Sequence, residues 1–165
     1  MICFEKVTFE QFKKDYLKLI GECNDEELRK VYDNIKLPQR STAKSAGYDF
    51  FSTADFVLHG NKNVVLPTGI RAIMPEGTVL MIYPRSSMGI KHGVVLSNGT
   101  GIIDADYADA DNEGHIMMAL VNFSARDYDI KCGDKVAQGI FVPYYNSENG
   151  NVDTQRTGGI GSTGR

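Results

Sequence analysis

Cysteine is scarce in this 165-residue chain, and its three copies, Cys3, Cys23 and Cys132, are widely spaced. They form no C-x-x-C pair, which excludes a disulfide framework and a zinc site and suits a reducing compartment. Net positive charge is also lacking: 18 Lys and Arg against 21 Asp and Glu give a net charge of -3. A non-specific nucleic-acid binder needs a basic face, so that class is excluded, whereas a small anion needs only a few local cations. No stretch approaches the ~20 apolar residues that span a bilayer, so no membrane partner is expected. The start, Met-Ile-Cys-Phe-Glu-Lys, has neither the basic head nor the apolar run of a signal peptide, and a cytoplasmic location is the expectation. Internal repeats and low-complexity blocks are absent. His59, His92 and His115 show no ligand spacing with Cys or carboxylates, and the zinc-deaminase signature is missing.

What is present is an ordinary globular composition, 42% hydrophobic and 24% charged. The length suits one domain able to bury roughly two-thirds of the surface of its unfolded chain. Residues 1–37 read as an N-terminal extension, mainly helical. Thr8-Phe-Glu-Gln11 is a capping-box pattern ahead of Phe12, Tyr16, Leu17 and Ile20, and Asn24-Asp-Glu-Glu27 opens a second helix with Leu28, Val31, Tyr32 and Ile35. Their apolar stripes are expected to pack on the main body, with a partner-binding surface as the alternative. Residues 38–145 change texture to short β-branched and aromatic runs, such as Thr78 to Tyr83 and Val136 to Val142, separated by Gly and Pro. That pattern predicts an all-β sandwich or barrel. Residues 146–165 are polar and Gly-rich and are expected to form a flexible C-terminal arm.

The segment Asn98 to Tyr107 lies between the apolar runs Val94–Leu96 and Ile116–Val121, and this predicts a β-hairpin. Strict alternation would place Ile103, Ala105 and Tyr107 on one face and Asp104 and Asp106 on the other. Gly99 and Gly101 would let backbone approach a flat polar ligand closely. A solvated acidic loop is the plain alternative.

Five segments then occur in order: Ala46-Gly-Tyr-Asp-Phe50, Pro84-Arg-Ser-Ser-Met-Gly-Ile-Lys-His-Gly93, Gly101-Ile-Ile-Asp-Ala-Asp-Tyr107, Gly133-Asp-Lys-Val-Ala-Gln138 and Arg156-Thr-Gly-Gly-Ile-Gly-Ser-Thr-Gly164. Together they resemble the five motifs of the trimeric dUTP pyrophosphatases (dUTPases), over Lys36 to the C-terminus. The resemblance implies a jelly-roll-like β-barrel with an added N-terminal helical segment, assembled as a homotrimer with interfacial active sites. It implies hydrolysis of dUTP to dUMP and pyrophosphate with Mg²⁺.

By the same resemblance Asp104 is the general base that activates water, worth ~10²–10⁴-fold; its alternative is a turn cap. Tyr107 packs on the deoxyribose and excludes a 2′-hydroxyl, or is simply a packing aromatic. Asn98, with the backbone of Gly101 and Ile103, faces uracil, or forms a turn. Ser86 and Ser87 hold phosphate oxygens. Gln138 does likewise, or is a solvated strand-end residue. Arg85 contacts phosphates or, preferably, supports acidic neighbours. Asp49 helps position the site and metal-bound water, without a direct protein cage for Mg²⁺. Arg156 reaches the γ-phosphate, with Ile160, Gly161, Ser162 and Thr163 closing over the nucleotide.

Several positions depart from the family pattern. Ile160 stands where Phe is usual, and Ser87 where Gly is usual. Ala108-Asp-Ala-Asp-Asn-Glu-Gly114 is a longer acidic stretch, expected as a solvated insertion, with cation or partner binding as alternatives. A related enzyme, dCTP deaminase, would place a Glu three residues before Asn122, where this chain has Ala119. A third possibility is a nucleotide-responsive interaction protein, its regulator bound at residues 108–114 or on the N-terminal helices.

Overall fold

The computed structural model of the protein describes residues 1–150. Strands predominate: β1 (Cys3–Lys6), β2 (Gln39–Arg40), β3 (Tyr48–Phe51), β4 (Phe56–Leu58), β5 (Asn63–Pro67), β6 (Ile70–Ile73), β7 (Thr78–Pro84), β8 (Val94–Leu96), β9 (Gly101–Ile103), β10 (Met117–Asn122), β11 (Tyr128–Ile130) and β12 (Lys135–Pro143). Two helices precede most of them, α1 (Phe9–Leu19) and α2 (Asp25–Asp33). A five-stranded sheet in the order β2-β3-β12-β7-β9 faces a three-stranded sheet, β5-β10-β8, with two-stranded pairs β1-β6 and β11-β4 beside them. The architecture is jelly-roll-like, but its hydrogen bonding runs in separate sheets and not around a closed barrel. No described helix is long and apolar enough to cross a membrane.

Between the sheets lies one large core that includes Phe50, Leu66, Leu80, Ile82, Leu96, Met118 and Leu120. Burial alternates along β10, as expected for a strand with one face on the core. A smaller cluster of Val7, Phe9, Phe12, Tyr16 and Leu28 sits under the helices, and Ile20, Ile35 and Phe56 touch both clusters. Gly69 makes that seating possible. It adopts φ +71, and a Cβ there would collide with Ile35 Cδ1 and stand 3.3 Å from Phe12. Leu17, on the expected apolar stripe of α1, is instead 37% exposed.

The helix starts fall where the caps predict, with one substitution of partner. Thr8 Oγ1 accepts from the Gln11 amide at 3.2 Å, and Asn24 Oδ1 from Glu26 at 2.8 Å. The reciprocal half of the first capping box is not made by Gln11, whose side chain turns to Asp15 (2.6 Å). Glu113 supplies it: its carboxylate accepts from the Thr8 backbone N–H at 2.7 Å and the Thr8 hydroxyl at 2.6 Å.

The hairpin expectation holds only in part. Strands β8 and β10 pair as antiparallel neighbours, Leu120 opposite Leu96, but the intervening β9 leaves them to pair with β7. Alternation stops at Ile103, because Ala105–Asp109 forms a 3₁₀ turn.

Candidate active site

A cationic cluster forms where β3, β12 and the end of β7 meet. Asp49, 6% exposed, lies on β3 opposite Gln138 of β12. Its Oδ1 accepts from Arg85 Nη1 at 3.0 Å, and its Oδ2 accepts from Ser41 Oγ at 2.6 Å and meets Lys135 Nζ at 2.7 Å. Lys135 Nζ also donates to Ser41 Oγ at 2.8 Å. Burial would push the Asp49 carboxyl up, but the bonds from Lys135 and Ser41 and the Arg85 charge hold it below the ordinary range. One carboxylate against two cations leaves one positive charge in excess. Such a cluster can orient and neutralise an anion.

A β-bulge assembles it. Pairing with β3 shifts between Lys135, opposite Phe51, and Ala137, opposite Phe50, and both Val136 and Ala137 point into the core. The extra residue puts Lys135 and Gln138 on the same face as Asp49, although they are three apart. Gln138 Nε2 donates to the Pro84 carbonyl at 3.3 Å, and Gly47 leaves room for its amide, since a Cβ there would be 2.8 Å from Gln138 Oε1. Neither Ser41 nor Lys135 is assigned a site role from the sequence, although Lys135 lies within the fourth motif segment. Ser41 lies outside every motif, and strict alternation would send Lys135 to the other face from Gln138.

Beyond Pro84 the chain enters a helical turn, with exposed Ser86 and Ser87 leading a π-helical stretch, Met88–His92. Arg85 accepts the Gly89 N–H through its carbonyl (3.0 Å). His92 stacks beside Tyr128, centroids 4.6 Å apart. Asn98 is exposed in the turn after β8, and its carbonyl accepts from Thr100 (2.8 Å). Gly101 has a reason other than ligand approach: it opposes Ile82, whose Cβ would be 3.1 Å from an added Cβ. Ile103, half-buried, opposes Leu80.

Asp104 follows β9 and precedes the 3₁₀ turn, partly exposed, making no side-chain cap to that turn. Tyr107 is 6% exposed and belongs to the main core. Its hydroxyl donates to the His115 carbonyl at 2.9 Å and accepts from Asn112 Nδ2 at 2.8 Å. The acidic stretch 108–114 is therefore not a solvated insertion. Ala110 and Gly114 are buried, Asn112 holds Tyr107 and Glu113 holds Thr8.

These two groups are not brought together within one chain. Asp104 comes after Ile103, opposite Leu80, whereas Arg85 comes after Pro84. Four steps of strand separate Leu80 from Pro84, ~13 Å at ~3.3 Å per residue. Arg156, Ile160, Gly161, Ser162 and Thr163 lie outside the described residues.

A family model described as dUTPase matches residues 33–164. The deoxyuridine 5'-triphosphate nucleotidohydrolase of Lactococcus lactis subsp. lactis (strain IL1403) is 41% identical over 133 residues, 79% of this chain and 89% of that protein. The crystal structure of a dUTPase from Streptococcus mutans matches with a TM-score of 0.68 and 34% identity, covering 89% of this chain and 99% of that one. A mutant dUTPase from phage phi11 of S. aureus, whose structure concerns coordination of a structural Mg(II) ion, matches at 26% identity with a TM-score of 0.61. It covers 74% of this chain and 92% of that one.

Proposed function

This chain belongs to the dUTPase family, and from that membership and its site we propose that it hydrolyses dUTP to dUMP and pyrophosphate. The observation that carries the chemistry is the Asp49–Arg85–Lys135–Ser41 cluster, whose excess positive charge suits a triphosphate. Ser86, Ser87 and Gln138 border it and hold phosphate oxygens. Arg85 acts mainly by fixing Asp49. At the other end of β9, Asp104 takes a proton from water as the water oxygen attacks the α-phosphorus. The bond to the bridging oxygen then breaks and pyrophosphate leaves. Asn98 and the Gly101–Ile103 backbone meet the uracil edge, and the exposed margin of Tyr107 meets the sugar.

The separation of Asp104 from Arg85 along β7 supports a site completed between subunits, as in a homotrimer. Among the described residues no cluster of three His, Cys, Asp or Glu offers a metal cage, and both Asp49 oxygens are engaged. The donors fit a Mg²⁺ ion carried by the phosphates and water, which would supply charge neutralisation. Deamination finds no support at Ala119, a methyl group in mid-strand opposite Val65.

The test is pyrophosphate release from dUTP, dCTP, dTTP and UTP with Mg²⁺, in wild type and Asp104→Asn. Release from dUTP alone, reduced ~10²–10⁴-fold in the variant, is expected. Undiminished release from the variant would remove Asp104 from the mechanism.

A further inference from the structure

The stretch 108–114 follows Tyr107 directly, and its contacts converge on that tyrosine. Asn112 Oδ1 accepts from the Gly114 N–H at 3.2 Å, which fixes its amide so that Nδ2 faces the Tyr107 hydroxyl at 2.8 Å. That hydroxyl in turn donates to the His115 carbonyl at 2.9 Å, so Asn112 and His115 together hold both its donor and an acceptor position. The loop carrying them is itself pinned. Glu113 takes two bonds from Thr8 at the start of α1. The fully buried His115 ring accepts from the Gly69 N–H at 2.8 Å through Nε2 and meets Asp15 of α1 at 2.6 Å through Nδ1. Glu113 adopts φ +59, a left-handed conformation rare outside glycine. Gly114, at φ +71, packs so tightly that a Cβ would stand 2.7 Å from the Tyr107 carbonyl oxygen.

We propose that Asn112 is a positioning residue for Tyr107, and that it sets how sharply the enzyme rejects a ribonucleotide. This rests on the dUTPase assignment and deepens it. Steric exclusion of a 2′-hydroxyl depends on where the ring edge sits to within a fraction of an ångström, because a displacement of about 1 Å is enough to admit an oxygen. Apolar packing limits the ring's translation. The two hydrogen bonds fix its pitch, and the α1 contacts keep the loop from retreating. The acidic stretch is thus part of the selectivity apparatus, and Asn112 acts through Tyr107 without touching substrate.

A double-mutant cycle on Asn112 and Tyr107 tests this, read as the ratio of kcat/KM for dUTP to that for UTP. Asn112→Leu keeps the branched shape of the side chain and removes both amide bonds. The ratio is expected to fall at least fivefold, with kcat/KM for dUTP changed less than threefold. In a Tyr107→Phe background, where the hydroxyl is gone, Asn112→Leu should leave the ratio within twofold. An unchanged ratio in the wild-type background overturns the proposal, and so does an equal fall in both backgrounds. If Asn112→Leu does not fold, Asn112→Ser carries the same cycle. Should the wild-type protein release no pyrophosphate from dUTP, the dUTPase assignment fails first, and the contact is then read from the Tyr107 ¹³Cζ resonance, assigned with Tyr107→Phe. A shift of that resonance in the Asn112 variant supports the positioning role; an unmoved one overturns it.

Discussion

Among the described residues, the buried Asp49 and the half-buried Asp15 have carboxyls held below their ordinary range. For each, burial works the other way, and the bonds from Lys135 and Ser41, or from His115 and Gln11, outweigh it. A carboxylate whose folded pKa is depressed adds stability above its unfolded value, near 3.9, and that stability is lost as pH falls through the lower folded value. Unfolding midpoints should therefore drop steeply below pH ~4, and Asp49→Asn or Asp15→Asn should flatten that slope. Identical slopes in wild type and both variants would contradict the assignment. At Ile160, outside the described residues, an aromatic ring over uracil would add ~1 kcal/mol of stacking, so Ile160→Phe should lower KM about fivefold. A KM no lower in Ile160→Phe would refute the stacking argument.

At the scale of elements, motif order and spacing marked Asp49, Arg85 and Gln138, which meet at one corner of the fold, and periodicity found the long strands and both helices. What stayed hidden depends on partners distant in sequence. Lys135 joins Asp49 only because Val136 is the extra residue of a bulge, and a bulge leaves no mark in an otherwise regular apolar run. Gln11 completes a capping box on paper, yet Glu113 takes its place from 105 residues away. That exchange has an energetic consequence. Thr8→Ala removes both the cap and the Glu113 hydroxyl contact, and should cost about 1–2 kcal/mol, or a melting temperature lower by about 3–6 °C for a chain of this size. Glu113→Ala should produce a comparable fall, and the double variant less than the sum of the two, as measured by thermal unfolding. Strict additivity would show that the two side chains do not stabilise each other.

In the whole molecule the proposed interfacial site has a direct test. Asp104 and the Asp49 cluster lie toward opposite ends of β7, so two inactive variants should complement each other. Asp104→Asn and Asp49→Asn subunits, unfolded together and reassembled at equal ratio, should recover roughly a quarter of the wild-type rate if each site draws one half from each of two neighbouring subunits. Equal mixtures as inactive as their components would place the whole site in one chain.

The contacts between Glu113 and Thr8, and between His115 and Asp15, also bear on the order in which this protein is made. Helices of eleven and nine residues are too short to persist alone in water. Strand β1 waits for β6, and α1 waits for residues 113 and 115. At ~5–20 residues per second, residues 1–33 leave the ribosome several seconds before residues 113 and 115, on which α1 docks. The segment carrying β1, α1 and α2 is thus born early and finished late, and a nascent chain stalled before residue 113 should leave α1 open to protease, whereas one stalled well beyond 143 should protect it.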